Sequence, residues 1–148
     1  KDNILIAGLE KFSKAGIINW PTAKIEVEKQ INAMNIKTPS QDTIVDNLSG
    51  GNQQKVVLGK WLIREPDILI MDEPTRGIDV GAKAEIYKLM GEFVKKGKAI
   101  IMISSELPEI IGMSDRCIVL HEGEFTGELD REEFSQERIL ALAAGIKD

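Results

Sequence analysis

The spacing of hydrophobic residues changes character near residue 65. Before that point, apolar residues recur every three or four positions, the spacing of one face of an α-helix. A short amphipathic helix is predicted at 3–13. A second helix is predicted to start at Pro21, with a buried face that comprises Ala23, Val27, Ile31 and Met34. A third helix is predicted to follow Ser49 and end before Pro66, with Val57, Trp61 and Leu62 on one face.

After residue 65, short continuous apolar runs alternate with helical patterns. The runs 67–71, 99–103 and 117–120 predict strands, the first two covered on both faces, and 123–129 is expected to fold back beside the third. Helices are predicted at 81–94, from Pro108 to Met113 and at 134–144. This alternation predicts an α/β fold with a mostly parallel sheet flanked by helices, in which ligands bind at the carboxyl ends of the strands.

Composition excludes several classes of function. The chain has 148 residues, a net charge of −5 and no polybasic stretch, so nucleic acid is not expected as a partner. Its apolar runs are too short to cross a bilayer, and Cys117 has no second cysteine with which to form an internal disulfide. No signal peptide is evident, so a cytoplasmic location is expected, and the first residues are typical of a fragment of a longer protein.

Two adjacent acids follow the first predicted strand. Neighbouring residues on a strand point to opposite sides, so Asp72 and Glu73 are expected to have different tasks. Asp72 is placed to hold Mg²⁺, and Glu73 to orient and deprotonate a water that attacks a γ-phosphate. The alternative is a buried strand that ends in two hydrated carboxylates.

A second candidate site lies at the predicted start of the third helix. Ser49, Gly50 and Gly51 offer a hydroxyl, unpaired backbone N–H groups, room for an anion and the positive end of a helix dipole. The same residues are also typical of an ordinary helix cap after a flexible turn.

Taken together, four motifs resemble an ATP-binding cassette (ABC) ATPase. Leu48 to Gln54 resembles the ABC signature, Asp67 to Thr75 a Walker B strand with its catalytic Glu, and Thr75 to Asp79 the D-loop. Met102 to Glu106 stands at the switch-histidine loop, and Ser114-Asp115-Arg116 follows it. The resemblance implies ATP and Mg²⁺ as cofactors and adds Asn52, Gln53 and Asp79 to the nucleotide-binding residues.

The particular residues in these motifs are similar to those in the second cassette of bacterial monosaccharide importers of the ribose, galactose, xylose and arabinose type. That resemblance implies an ATPase at the cytoplasmic face of the membrane that drives a permease, with a second cassette in the same polypeptide and, indirectly, a sugar-binding protein. It also implies that Ser49, Gly50 and Gly51 serve the ATP of the other cassette. A soluble ABC ATPase and a non-catalytic interaction module are the alternatives.

The sequence departs from the family in two respects. It contains no Gly-x-x-x-x-Gly-Lys-Ser/Thr loop, so a partial cassette without the phosphate-loop strand is expected, and the chain alone is expected to be inactive. Ser105 occupies the position where most cassettes have the histidine that contacts the γ-phosphate, and is carried over as a catalytic position. The expected division is a helical subdomain at 1–65, half of the ATPase core at 66–129 and a terminal helix at 130–148.

Four further residues are expected to be structural. Trp20 and Trp61 are interpreted as core or subdomain-interface aromatics, and Cys117 as a small hydrophobic side chain. His121, the single histidine, is expected to be a hydrated hairpin residue.

Overall fold

The computed structural model describes residues 1–146, which form two compact units. The first comprises Lys1–Ile101 and the second begins at Met102. Six helices and six strands are present in the described part of the chain, together with three short 3₁₀ segments. These units are defined by spatial contacts. The predicted boundaries at residues 65 and 129 separate functional parts of a cassette, and that division stays a prediction.

The first unit begins with a broken helix. The pattern at 3–13 predicted one amphipathic helix, but α1 covers only Asp2–Leu5 and a 3₁₀ segment follows at Ile6–Phe12. The break falls at Gly8, whose backbone is not helical (φ −118°, ψ 21°). A side chain there would place its Cβ 2.9 Å from Ile63 Cγ2, so close packing against another helix requires glycine at the kink.

A small hairpin then leads into the long helix α2. Strands β1 (Ser13–Lys14) and β2 (Ile17–Ile18) pair antiparallel. Both turn residues between them have positive φ, which matches the right-handed twist of the strands. The apolar pattern of the sequence did not predict this hairpin.

Helix α2 spans Trp20–Ala33, close to the prediction, and the Asn19 side chain caps it by accepting from Thr22 N at 3.3 Å. Three of the four residues on its predicted apolar face are fully buried, namely Ala23, Val27 and Met34.

Helix α3, Gly50–Leu62, packs against the N-terminal elements but not through the expected face. Val57 and Trp61 are half exposed, whereas Val56 and Leu58 are buried and Gly59 lies against Met34 Sδ at 3.2 Å. The prediction of this face was therefore wrong for Val57 and Trp61, whereas Leu62 is partly buried beside Leu58 and Met71. Trp20 and Trp61 are likewise exposed in this structure and are not core residues.

Strands β3 (Ile68–Asp72) and β4 (Ala99–Ile103) form a small parallel sheet, with α4 (Val80–Lys95) as the connection between them. The prediction that both faces are covered was wrong for this chain. Leu69 and Met71 are buried, but Ile68 and Ile70 are 59% and 67% exposed. Within residues 1–146 each strand pairs with one neighbour and is covered on one face, so burial alternates along it.

The second unit contains α5, a hairpin and the last helix. α5 spans Leu107–Met113 and follows the expected proline start. β5 (Arg116–His121) and β6 (Glu124–Asp130) pair antiparallel with an irregularity between Val119 and Leu120, which confirms the expected fold-back.

The core of the second unit lies between the hairpin and α6 (Gln136–Ala143), where Val119, Leu129, Ile139 and Leu142 are buried together. Cys117 packs against this cluster, and partial burial raises the pKa of its thiol, as expected for a small hydrophobic residue. His121 was expected to be a hydrated hairpin residue. It does lie in the hairpin and is partly exposed, and its Nδ1 lies 2.8 Å from the Ala143 carbonyl, which ties the hairpin to the end of α6.

Candidate functional site

The start of α3 carries five of the predicted site residues. Ser49 is the residue before the first helical turn, and its carbonyl accepts from Gln53 N at 2.9 Å. Its hydroxyl makes no capping hydrogen bond to the helix backbone, although serine at this position usually does. Asn52 Nδ2 donates to Ser49 Oγ at 2.8 Å, and Gln53 Nε2 donates to the Leu48 carbonyl at 2.9 Å.

The two glycines allow α3 to begin directly against the start of α4. A side chain at Gly51 would bring its Cβ to 2.5 Å from Ala82 Cβ, which no alanine could tolerate without movement. At Gly50 the corresponding position is 3.7 Å from Ile78 Cγ2. The signature-like residues and the D-loop-like residues are thus brought together, and the sequence alone did not predict this contact.

Asp79 lies at the beginning of α4. Its Oδ1 accepts from Ala82 N at 2.9 Å, so the carboxylate caps the helix on the side that faces Gly51. The capping role is a finding about local structure, and the predicted nucleotide-binding role of Asp79 stays a prediction.

The end of β3 places the two adjacent acids differently from the sequence argument. Asp72 is the exposed last residue of the strand, but Glu73 lies outside it, with left-handed backbone (φ 47°). Strand alternation therefore does not separate the two carboxylates, as the sequence argument assumed, because the chain turns between them. Arg76 N donates to the Glu73 carbonyl at 3.2 Å, and Pro74 and Thr75 are buried, so the turn is fixed.

Asp72 fits the kind of magnesium site that the sequence predicted. The part of the chain that the structure describes has no cluster of three or more acidic, histidine or cysteine side chains that could hold a metal ion. Mg²⁺ does not need one, because it commonly keeps several waters and takes one or two carboxylates together with substrate phosphates. A single exposed carboxylate at a strand end is compatible with such a site, and the metal-binding role of Asp72 stays a prediction.

Ser105 belongs to the second unit, in the loop between β4 and α5. Ser104 Oγ donates to the buried carboxylate of Glu109 and accepts from Glu106 N at 3.0 Å. These bonds order the backbone on both sides of Ser105, which is itself exposed. The structure describes Ser105 within this unit, and its catalytic role stays a prediction.

One structural residue of the site was missed. Lys55, in the second turn of α3, is only 2% exposed. Its Nζ donates to the Asn35 carbonyl at 2.9 Å and to the carboxylate of Glu85 on α4. A lysine four positions after Gly51 gives no sign in the sequence of being buried, because lysine is normally a surface residue.

Comparison with known proteins agrees with these motifs. The profile of the ABC transporter family matches residues 2–76, just over half of the chain, including α3 and β3. The chain belongs to this family. No helix among residues 1–146 of this cassette is long and apolar enough to cross a membrane.

Relatives of the cassette fragment are ATP-binding proteins. It is 57% identical over 145 residues to the ribose import ATP-binding protein RbsA of Oceanobacillus iheyensis, covering 98% of this chain and 29% of that protein. The corresponding protein of Clostridium perfringens is 51% identical over 148 residues, covering 99% of this chain and 30% of that one. The chain therefore spans about three tenths of the length of these relatives.

The fold is also that of a cassette. A solved structure of an ATP-binding cassette of an ABC transporter superimposes with a TM-score of 0.77 at 23% identity, covering 95% of this chain and 60% of the other. The expected fold class, a partial cassette of the phosphate-loop NTPase type, is confirmed.

Proposed function

We propose that this chain is part of the ATP-binding subunit of a bacterial importer, in which ATP binding and hydrolysis drive a monosaccharide through a membrane permease. Membership of the ABC transporter family and the names of the ribose import relatives support the reaction and the substrate class. The observation that carries the proposal is the exposed start of α3. It lies close against the start of α4, which is possible because Gly51 has no side chain.

The start of α3 is suited to a phosphate that is brought to it from outside the chain. Ser49 and Gly50 are exposed, so the hydroxyl and the first N–H groups of a thirteen-residue helix point to a surface, with the positive end of the helix dipole behind them. A second cassette facing this one would present its nucleotide here, with Asn52, Gln53 and Asp79 around the contact.

Asp72, Glu73 and Ser105 have a different task in this proposal. Bound Mg²⁺ and ATP would supply a polarised γ-phosphate, which Asp72 helps to position through the metal. Glu73 orients a water and accepts its proton during attack. Ser105 offers a hydroxyl at the position where other cassettes contact the γ-phosphate.

The proposed partners are a membrane permease, a second cassette and a sugar-binding protein. The permease docks against the helical front, residues 1–65, whose exposed apolar residues include Ile25 and Ile44. A second cassette, fused in the same polypeptide, completes the two nucleotide sites, and a sugar-binding protein acts indirectly through the permease. The protein then lies at the cytoplasmic face of the membrane.

Sugar uptake by cells tests this function. The full-length parent protein is expressed with its permease and binding protein in a strain that lacks its own monosaccharide importers. We expect uptake of labelled ribose, galactose, xylose or arabinose that is lost in the Ser49→Arg variant. ATP turnover without uptake of any of these sugars would favour a soluble ABC ATPase instead, whereas normal uptake by the Ser49→Arg variant would contradict the role proposed for the start of α3.

The isolated chain has a different expected behaviour. Without a phosphate-binding loop in its sequence, residues 1–148 alone are expected to act at most as an interaction module and to bind Mg-ATP weakly. Calorimetric titration that gives a micromolar dissociation constant would show that this expectation is wrong.

A further inference from the structure

The side chain of Asn52 lies between two partners whose chemistry fixes its orientation. Its Oδ1 accepts from the backbone N–H of Lys37 at 2.8 Å, and its Nδ2 lies 2.8 Å from Ser49 Oγ. The two ends of an asparagine amide are easily interchanged in a structure. Here they are not interchangeable, because a backbone N–H can only donate and must therefore face the amide oxygen.

The orientation of Asn52 determines the role of the Ser49 hydroxyl. The amide Nδ2 carries only donors, so Ser49 Oγ has to accept. Its own hydrogen is then directed away from Asn52. The Ser49 oxygen accepts no capping hydrogen bond from the backbone of α3, so Asn52 is its partner in the first turn of the helix. Ser49 is exposed, so this hydrogen points to the surface at the start of the helix.

We propose that Asn52 is a positioning residue that holds the Ser49 hydroxyl as a hydrogen-bond donor toward a phosphate oxygen of the facing cassette's nucleotide. This inference rests on the proposed function, and it replaces the predicted direct contact of Asn52 with nucleotide. A serine hydroxyl that rotates freely would donate to this oxygen for only part of the time. Asn52 removes that freedom before the nucleotide arrives.

The partner of Asn52 connects this hydroxyl to the end of α2. Lys37 lies in the segment that follows α2. Lys55 makes a second hydrogen bond to the same segment, because its Nζ donates to the Asn35 carbonyl at 2.9 Å. Both bonds come from α3, one turn apart. Displacement of residues 35–37 would therefore withdraw the Lys37 N–H that donates to Asn52 and release the Ser49 hydroxyl.

Steady-state ATP turnover of the full-length protein with its permease tests this role. Asn52→Ala is measured in the natural background and in a Ser49→Ala background. If Asn52 acts through the hydroxyl, we expect kcat to fall about tenfold in the first case and less than about twofold in the second. A merely structural role would give the same loss in both, since it does not depend on the hydroxyl.

Two further variants sharpen the test. Asn52→Asp keeps the acceptor for Lys37 N–H but places a carboxylate oxygen against Ser49, so the hydroxyl donates to it; we expect a loss of about a hundredfold, as for removal of a well-placed donor. Asn47→Ala and Asn47→Asp are matched controls, because Asn47 is exposed two residues before Ser49, and they should leave turnover within about twofold.

The outcomes separate the two proposals. Equal losses from Asn52→Ala with and without the Ser49 hydroxyl, or from Asn52→Asp and Asn47→Asp, would overturn the positioning role while leaving the importer function intact. If Ser49→Ala alone leaves both turnover and sugar uptake unchanged, the function proposed for the start of α3 is itself wrong.

Discussion

The ammonium of Lys55 is buried against the carboxylate of Glu85, so one ion pair joins the helix that begins at the signature to the helix that begins at the D-loop. The same ammonium donates to the Asn35 carbonyl beyond α2. Three segments of the first unit are thus tied by one cation. The relative positions of Ser49 and Asp79 depend on this contact, together with the fit of Gly51 against Ala82.

Replacing Lys55 tests the energy of this contact. Lys55→Met keeps most of the volume but leaves the Asn35 carbonyl and Glu85 without their partner, so we expect the free energy of unfolding to fall by about 1–3 kcal/mol. The cost is lower than for a fully buried pair because the Glu85 side chain is 42% exposed and can be hydrated. Urea unfolding followed by circular dichroism measures it. Lys55→Arg is the control, and equal stability of all three proteins would contradict the assignment.

The Lys55–Glu85 pair also predicts a dependence of stability on pH. The hydrogen bond and charge of Lys55 hold the pKa of Glu85 below its ordinary value of 4.5, and Lys37 acts in the same direction while Asp79 opposes it. Because the folded pKa is depressed, the stabilisation is present above the unfolded pKa and is lost as pH falls through the folded value.

Comparison with Glu85→Gln isolates this titration. We expect the native protein to exceed the variant in unfolding free energy at pH 6–7 and the difference to shrink progressively below about pH 4.5. Urea midpoints of both proteins between pH 3 and 7 provide the measurement. A difference that stays constant over this range would show that Glu85 does not titrate with a lowered pKa.

Gly51 offers a steric test with an internal control. Gly51→Ala forces α3 and α4 apart, so we expect a loss of about 1–3 kcal/mol in stability and reduced ATP turnover of the full-length protein. Gly91→Ala lies inside α4 with nothing within 4 Å of its Cβ, and it should instead stabilise by about 0.5–1 kcal/mol. Adding Ala82→Gly should recover part of the Gly51→Ala loss; two alanine variants with the same stability would refute the close-packing argument.

Ser105 predicts that the two nucleotide sites of the intact protein differ. A histidine can bridge the γ-phosphate and the catalytic Glu, whereas serine is shorter and neutral, and loss of one such contact costs about a hundredfold in rate. We expect Glu73→Gln in the full-length protein to leave most steady-state ATP turnover intact and Ser49→Arg to abolish it. Equal losses from both substitutions would mean that the sites are equivalent or coupled.

The uncovered face of the small sheet predicts self-association of the isolated chain. Ile68, Ile70 and Ile101 are more than half exposed, while Leu69 and Ile100 lie on the covered face beneath α4. We expect sedimentation to show dimers or larger species that become monomeric in Ile68→Thr/Ile70→Thr, since threonine preserves the strand. Ile17→Thr removes an even more exposed apolar residue from the hairpin and should change nothing. A monomeric native chain at high concentration would contradict the prediction.

Local patterns predicted the elements of the fold well. Helices α2, α3, α4 and α5, strands β3 to β5 and the fold-back of β6 were all expected within a few residues. Burial was predicted less well, because it depends on neighbours: Ile70 is as apolar as Leu69, but only one covering layer is present.

The candidate site was also predicted only in part. Its residue types could be predicted from motifs, whereas the contacts that organise it could not. Neither the spacing of Gly51 and Ala82 nor the burial of Lys55 leaves a periodic trace along the chain. The left-handed backbone of Glu73 was also missed, since glutamate is not a residue that predicts positive φ.

The left-handed backbone of Glu73 means that stability and catalysis favour different residues at this position. A left-handed non-glycine residue carries a cost of about 1 kcal/mol or more, which glycine at position 73 would relieve and asparagine would reduce. Either replacement would also remove the carboxylate proposed as the base. Directed selection for heat resistance alone would therefore favour loss of the catalytic group. Because Glu73 is expected to serve the slower site, total ATP turnover would reveal this loss poorly, and position 73 has to be sequenced in any thermostable variant of the parent protein.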